Sequence, residues 1–449
     1  MTALAKTKYV LFVWAVGNIF FLLSAHAAEA DSISIKDNET IKVDSVVISG
    51  NATTQDFIIL RELTFEVGDT VSGKTLRYDR ERIFSLGLFT RVDFILRAES
   101  GKNILEIKIS ESWYIYPLPV FFSQNGDFKK ATYGVSLLYK NFRGRNETVR
   151  TSVGLGYDPF YSIAYENPAL SYTHDIGIKF FFSYLHPTNK SQAAKSLAGY
   201  DYQSKVFSQA ISLSKRLDQY NLLSGLLGFD YIEAPFAVTG ITASGQKIDR
   251  ELILGLNYTH DSRDLKQFSR DGLYTFLQFQ HKGFGIDNIS YSKFDFDYRE
   301  YRTLIGHLAA KWRLNWSTLF GGVIPYYDYS YLGYFEKVRG HSGDIREGKS
   351  YLLTSLEFSY PLLTEWNINF KLPLLPKSLT TYRIDIYVTT FYDAGETYSS
   401  NNQIALPNFY SGYGLGLTFL ILPYNAVRIE YARNELGKGE FLVGLGFSF

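Results

Sequence analysis

The chain has 449 residues, a net charge of +1 from 46 basic and 45 acidic side chains, and no cysteine. The charge balance gives no reason to expect a nucleic-acid partner, and the missing cysteines exclude disulfides, thiolate zinc sites and cysteine nucleophiles. Tyr and Phe, 35 of each, with 36 Gly and a mean hydropathy of −0.10, point to β structure, because aromatic side chains fit pleated surfaces.

Residues 1–27 read as a cleaved secretory signal. Lys6 and Lys8 precede a mostly apolar stretch from Tyr9 to Leu23, and Ala25-His26-Ala27 carries small residues at a cleavage spacing. The apolar stretch is short for a membrane anchor, and beyond residue 30 no run approaches the ~18 apolar residues of a spanning helix. Any membrane role falls to strands.

Residues 41–112 read as a small β-α-α-β-β domain. Ile41 to Ile48 alternates and meets the turn Gly50-Asn51. Thr54 is placed to cap a helix running to Leu63. Lys74 to Leu86 carries Leu76, Ile83, Phe84 and Leu86 on one helical face, and Gly87 stops it. Arg91–Arg97 and Asn103–Ile109 form two strands around a Glu99-Ser100-Gly101-Lys102 turn.

From 113 to 449 the pattern is strands only. Lys293 to Arg299 alternates charged with aromatic residues, and His307 to Ser317 alternates polar with apolar ones. A soluble sandwich and a membrane barrel both produce this period of two. The barrel is favoured by aromatic-rich apolar faces, by strands reaching the ~9–11 residues a membrane strand needs, and by the export signal with the terminal Phe449. The expected fold class is therefore mainly β: an antiparallel transmembrane barrel of about sixteen strands behind one small domain. The expected starts are Tyr114, Thr132, Glu147, Phe160, Ile176, Lys205, Leu222, Glu251, Leu273, Tyr291, His307, Tyr351, Tyr382, Ser411, Ala426 and Glu440. Short and long connections alternate, apart from 362–381, a long stretch with Pro373 and Pro376 on the expected periplasmic side.

Parity assigns side chains to faces. Leu352, Leu356 and Phe358 lie on the lipid side of their strand, so Glu357 faces inward. Ile384, Ile386 and Val388 do the same for theirs, so Asp393 faces inward. The longest loop precedes these strands and contains Val338-Arg339-Gly340-His341. Folded into the lumen, it brings Arg339 to Glu357 and Asp393, with Gly340 allowing the tight tip. One such pair is worth roughly 4 kcal/mol at an effective dielectric of 20 and ~0–1 kcal/mol in a wet lumen.

These features resemble the BamA/TamA superfamily of outer-membrane assembly proteins. The small domain is similar to a POTRA domain at Ile48-x-Gly50-Asn51, Gly68, Gly87-Leu88-Phe89-x-x-Val92 and Glu111. Val338-Arg339-Gly340 matches the core of the family's loop motif, with His341 in place of its aromatic residue and a packing contact weakened accordingly. Phe391-x-Asp393-x-Gly395 matches the inward strand motif, and Glu357-Phe358 fits the strand before it. Asp261-Ser262-Arg263-Asp264 with Gly272 resembles a periplasmic-turn signature. Phe447 and the terminal Phe449 fit the assembly signal.

The resemblance implies a barrel in the outer membrane of a Gram-negative bacterium, with its POTRA domain in the periplasm and a weak seam between first and last strands. The implied partners are the bilayer, unfolded outer-membrane or secreted client proteins, and accessory proteins recruited along a strand edge such as Arg91–Arg97. The domain as a mere spacer is the alternative reading. Gly444 and Gly446 suit either a pliable last strand or room in the lumen. A secretion pore for a dedicated partner, a passive channel and a related organellar barrel are the other readings. No cofactor, metal or enzymatic role is expected: H-E-x-x-H and G-x-S-x-G are absent. The glycines of Gly412 to Gly416 alternate along a strand, and Asp295 and Asp297 sit amid Lys293 and Arg299.

Overall fold

The computed structural model describes residues 35–123, 128–334, 336–370, 376–399 and 409–446. The expected signal sequence and Phe447 and Phe449 lie outside the described residues.

The small domain contains Thr40–Lys42 (β1), Ser45–Ser49 (β2), Asp56–Leu60 (α1), Thr70–Ser72 (β3), Gly73–Phe84 (α2), Phe89–Glu99 (β4) and Lys102–Glu111 (β5). β5 lies between β2, its parallel neighbour, and β4, its antiparallel one. Ile58, Ile59, Leu76, Ile83, Phe94, Leu105 and Ile107 form the core between helices and sheet.

Three local expectations are corrected. The strand expected over Ile41–Ile48 is two strands: β1 pairs with β3, then the chain crosses to β5 through the buried Val43. Thr54 does not cap α1, which ends at Leu60; its hydroxyl donates to Glu111 at 2.6 Å and accepts from Asn141 at 2.9 Å. α2 begins at Gly73, where Ser72 accepts from the backbone N–H of Thr75 at 3.1 Å.

Sixteen strands then form one antiparallel sheet in chain order. They are Ile115–Ser123 (β6), Ala131–Phe142 (β7), Glu147–Gly156 (β8), Phe160–Ser171 (β9), Ile176–Leu185 (β10), Lys205–Arg216 (β11), Asn221–Glu233 (β12), Ile248–Asp261 (β13), Gly272–Lys282 (β14), Tyr291–Thr303 (β15), Ala309–Gly321 (β16), Ser350–Asn369 (β19), Thr381–Tyr398 (β20), Tyr410–Leu422 (β21), Asn425–Asn434 (β22) and Gly439–Leu445 (β23). Ser330–Leu332 (β17) and Arg346–Gly348 (β18) pair with each other inside the loop between β16 and β19. The largest offset from the expected starts is Ile248 against Glu251.

Burial decides which face is which. Along β16, Lys311, Arg313, Asn315 and Ser317 are enclosed while Trp312 is exposed, and in the middle of β13 the exposed positions are Leu254 and Leu256. A soluble protein shows the reverse, so the apolar face is built for lipid and the charged face lines the interior. Within 362–381, β19 runs on to Asn369 and β20 begins at Thr381, with a short helix at Lys377–Thr380 before it and residues 371–375 outside the described residues; the β19–β20 pairing extends past its neighbours, with irregular register between Pro361 and Trp366.

The small domain sits against the turns at one end of the sixteen-stranded sheet. Arg82, buried in α2, donates to Glu62 and to the Gln219 carbonyl, each at 2.9 Å. Glu62 also receives Arg216 at 2.9 Å. Tyr78 donates to the Ser262 carbonyl at 2.9 Å, and Arg383 of β20 reaches Glu81 at 2.9 Å. Arg82→Ala leaves Glu62 with one of its two arginines, and losing a buried partner costs roughly 3–5 kcal/mol. The domain is expected to undock, read as faster amide exchange in residues 216–220 and 262–271; unchanged protection would show that the contact is dispensable.

Burial pushes the Asp79 carboxyl up to about 6, against two hydrogen bonds from Thr64. A folded value above the unfolded one means the folded domain holds the extra proton, so stability rises as pH falls from about 6 towards 3.8. Glu62 and Glu81 are held below their ordinary value by Arg216 and Arg82 and by Arg383 and Arg80, outweighing burial, so their contribution is lost only at lower pH. The isothermal denaturation midpoint of the small domain is expected to be higher at pH 5 than at pH 7, and Asp79→Asn to flatten that difference.

Candidate functional site

The loop from 322 to 349 crosses the lumen and is anchored at both ends of its crossing. At its stem, Tyr327 donates to Asp249 at 2.8 Å and to Glu251 at 2.6 Å, both on β13. Asp328 accepts from Lys282 of β14 at 2.6 Å and from Tyr291 of β15 at 2.7 Å. Further on, Arg313 of β16 holds Glu336 with two bonds of 2.8 Å.

The tip reaches the last four strands. Val338 packs with Leu332, Leu353 and Tyr410. Arg339 is 5% exposed and makes a two-pronged contact with Asp393, Nε to Oδ2 at 2.6 Å and Nη2 to Oδ1 at 2.8 Å. The planar guanidinium fork matches a carboxylate in a way that lysine cannot. Its Nη1 also donates to Glu357 at 3.2 Å and to Glu430 at 3.0 Å. The guanidinium lies over the Phe391 ring, 3.6 Å from its centroid.

Two glycines make this approach possible. Gly340 has φ +99°, a conformation that a side chain strains. A Cβ on Gly412 of β21 would lie 1.7 Å from the Arg339 carbonyl oxygen. Gly395 does not touch the arginine; a Cβ there would crowd Leu332 and Val338 at 3.1 Å.

The histidine corrects one expectation. His341 keeps an aromatic contact, edge-on to Tyr410 at 4.8 Å, and adds polar ones: Nε2 lies 2.8 Å from Glu435 and 3.2 Å from the Ser411 carbonyl. The imidazole is flat enough to pack and polar enough to bind the β22 end.

Three contacts were not read from the sequence. Glu430 of β22 follows the same parity as Glu357, since Val427, Ile429 and Tyr431 form the opposite face. Glu440 of β23 accepts from the Gly340 N–H at 2.7 Å and from the Ser342 N–H and hydroxyl at 3.2 and 3.0 Å. Lys311 of β16 donates to Glu357 at 3.1 Å, and its ammonium lies 3.5 Å from the Phe268 ring. Phe268 belongs to the turn 262–271, so the signature Asp261–Asp264 opens a turn that folds up under the plug. Only the tertiary fold brings Phe268 there.

Among the described residues no ladder joins β6 to β23. The two ends are nonetheless close: the rings of Tyr116 in β6 and Tyr424 in the β21–β22 turn lie 6.1 Å apart. Phe441, Val443 and Leu445 are 81, 65 and 76% exposed, against 58 and 47% for Leu415 and Ile429 on the two preceding strands. The excess marks an open edge.

Sequence comparison matches residues 141–449 to the Omp85 superfamily domain. The chain belongs to the Omp85 superfamily. Residues 41–112 match the POTRA family, described as a surface antigen variable number repeat. No curated protein matches the chain. Among solved structures, BamA from Haemophilus ducreyi lacking POTRA domains 1–3 is similar, with TM-score 0.53, 14% identity, and 94% of this chain and 88% of that one covered. CdiB from Escherichia coli is similar with TM-score 0.54, 13% identity, and 95% and 80% covered. At these identities the likeness is one of fold. Omp85 proteins are outer-membrane β-barrels with periplasmic POTRA domains, generally transporters or assembly proteins rather than enzymes. Among the described residues, no cluster of His, Asp and Glu suits a metal ion.

Arg339→Ala leaves Asp393, Glu357 and Glu430 without their shared cation, a loss of about 3–5 kcal/mol for a buried pair. The loop is expected to leave the lumen and become cleavable by added protease in intact vesicles. Arg339→Lys is expected to rescue this only in part. A loop that stays protected in Arg339→Ala would show that the stem contacts suffice.

Proposed function

We propose that this Omp85 protein inserts or translocates client polypeptides at the outer membrane of a Gram-negative bacterium, with its POTRA domain in the periplasm receiving clients or accessory proteins. The observation that carries this reading is that, among the described residues, no ladder joins β6 to β23. A strand edge within hydrocarbon leaves N–H and C=O groups without partners, which is costly for the barrel and equally so for an unfolded client. Pairing a client strand with the seam relieves both, by β-augmentation.

The lumen supports the same reading over a passive channel. It is crossed by a loop held through Arg339, Asp393, Glu357 and Glu430, so open conduction requires that loop to leave. A secretion pore for a dedicated partner also needs its displacement and remains the second reading. On the POTRA domain, the edge of β4 starts beside Glu365 and Arg383, so Arg97 at its far end and the whole of β2 are the edges left for recruitment.

The protein has no cysteine of its own, which makes the test clean. Cysteine pairs scanned between Ile115–Phe121 and Phe441–Leu445, oxidised in vesicles, are expected to abolish insertion of unfolded barrel clients, with reduction restoring it. Full client insertion by the locked form would falsify the seam mechanism. Conductance without client folding would favour the secretion pore.

A further inference from the structure

Where the small domain meets the sheet, a cavity of about 290 Å³ is left between them. Its walls are α1 and α2 on one side, and residues 216–222, the last residues of β13 and the turn 262–271 on the other. Leu222 and Thr259, both in the lining, are cross-strand neighbours on the face that also carries Asp230 and Glu251. The cavity therefore lies on the interior side of the wall, in water and away from lipid. Its size is at the lower end of small-molecule sites, which run from roughly 300 to 1,000 Å³.

The charges around it are unevenly satisfied. Four cations, Arg61, Arg82, Arg216 and Lys266, share the lining with three carboxylates, Glu62, Asp218 and Asp261. All three carboxylates are engaged. Glu62 accepts from Arg82 on one oxygen and from Arg216 on the other, each at 2.9 Å. Asp218 accepts from the backbone N–H groups of Tyr220 and Asn221 at 2.7 and 2.9 Å, and its second oxygen accepts from the Asn221 amide at 2.7 Å. Asp261 takes the Arg263 guanidinium on both oxygens, at 2.8 and 3.0 Å.

Two of the cations are not so well served. Among the described residues, only Nη1 of Arg61 finds an acceptor, the Pro168 carbonyl at 3.4 Å. Its Nη2 is 3.8 Å from Asp175, beyond hydrogen-bonding distance, and its Nε is buried without a partner. Burial and the neighbouring Arg216 hold the Arg61 guanidinium below its usual range, against Glu62 and Asp175. The side chain is 17% exposed, so only part of its fork meets water. The Lys266 ammonium lies 3.5 Å from Asp261, at the limit of bonding distance. An enclosed guanidinium this short of acceptors costs free energy that a bound anion would recover.

We infer that this cavity binds a small phosphate-bearing anion, held by Arg61 of the small domain and Lys266 of the barrel turn. The planar fork of Arg61 matches two phosphate oxygens, and Lys266 adds a point charge. Ile58, Leu86 and Leu222 line the same cavity and offer an apolar wall to the organic part of a phosphate ester. The two holders belong to different domains, so the anion bridges them and tightens the docking of the small domain on the sheet. This site does not depend on client insertion. Phosphate can arrive free in water or as a phospholipid headgroup; the interior-side position assigns it to the free solute.

Inorganic phosphate, titrated calorimetrically into the mature chain in nonionic detergent with chloride holding ionic strength constant, is expected to fill one saturable site. Arg61→Gln is expected to weaken binding by roughly tenfold to a hundredfold, the worth of a charge-assisted hydrogen bond, and Arg61→Lys by less. Lys266→Gln, on a partly exposed turn, is the second variant and carries the test if Arg61→Gln does not fold. No saturable binding by the parent chain, or unchanged affinity in the variants, overturns the site.

Amide exchange reads the bridge. Phosphate is expected to slow exchange across residues 262–271 in the parent chain and to leave it unchanged in Lys266→Gln. Binding without any slowing overturns the bridge. Short-chain phosphatidylglycerol in phosphate-free buffer separates the two sources: slowing by the lipid and none by inorganic phosphate overturns the assignment to a free solute.

Discussion

A buried guanidinium surrounded by three carboxylates sets the terms for the rest of this barrel. Arg339 could not remain charged inside the wall without Asp393, Glu357 and Glu430, and those acids could not be placed there without cations. Lys311 and Arg428 supply the remaining positive charge, beside Glu357 and Glu430 respectively. The cluster recruits residues from a loop and from four strands, so its geometry fixes the loop and the wall together. Gly412, Gly340 and Phe391 follow from it: one makes room for the loop backbone, one turns it, and one gives the guanidinium a face to lie on.

The seam is the complementary feature. Within the sixteen-stranded sheet every other strand has two partners; β6 and β23 have one each among the described residues. Among the described residues β23 is shorter than β22; it pairs with that one strand, packs Phe441 on Tyr431, and grips the loop tip through Glu440. The loop therefore does two jobs with adjacent residues. Arg339 fixes it to the firm part of the wall, and Gly340 and Ser342 bind the last strand.

Parity made much of this legible from the amino acids. Alternation of lipid-facing and lumen-facing side chains locates the strands and places Glu357 and Asp393 inward. The same argument extended to β22 and β23 finds Glu430 and Glu440, whose strands carry equally regular alternation. Other features had no local signal. The β19–β20 hairpin continues through Pro361 because its irregular backbone, with Glu365 at φ +55°, is held by Arg80 of the small domain at 2.6 Å. Thr54 looked like a helix cap because its true partners, Glu111 and Asn141, are distant in the chain. Propensity yields at such points to contacts that only the assembled domains supply.

Lys311 has a consequence for how the two compartments communicate. Its ammonium touches the ring of Phe268, on a turn braced from below by Ser85 and Tyr78, and the carboxylate of Glu357, which the outer loop also holds. Shifting that turn strips the ammonium of one neighbour and alters the field at the plug directly, with no intervening helix or hinge. A disturbance at the small domain's end of the barrel is in this way felt at the loop tip across a single side chain's width.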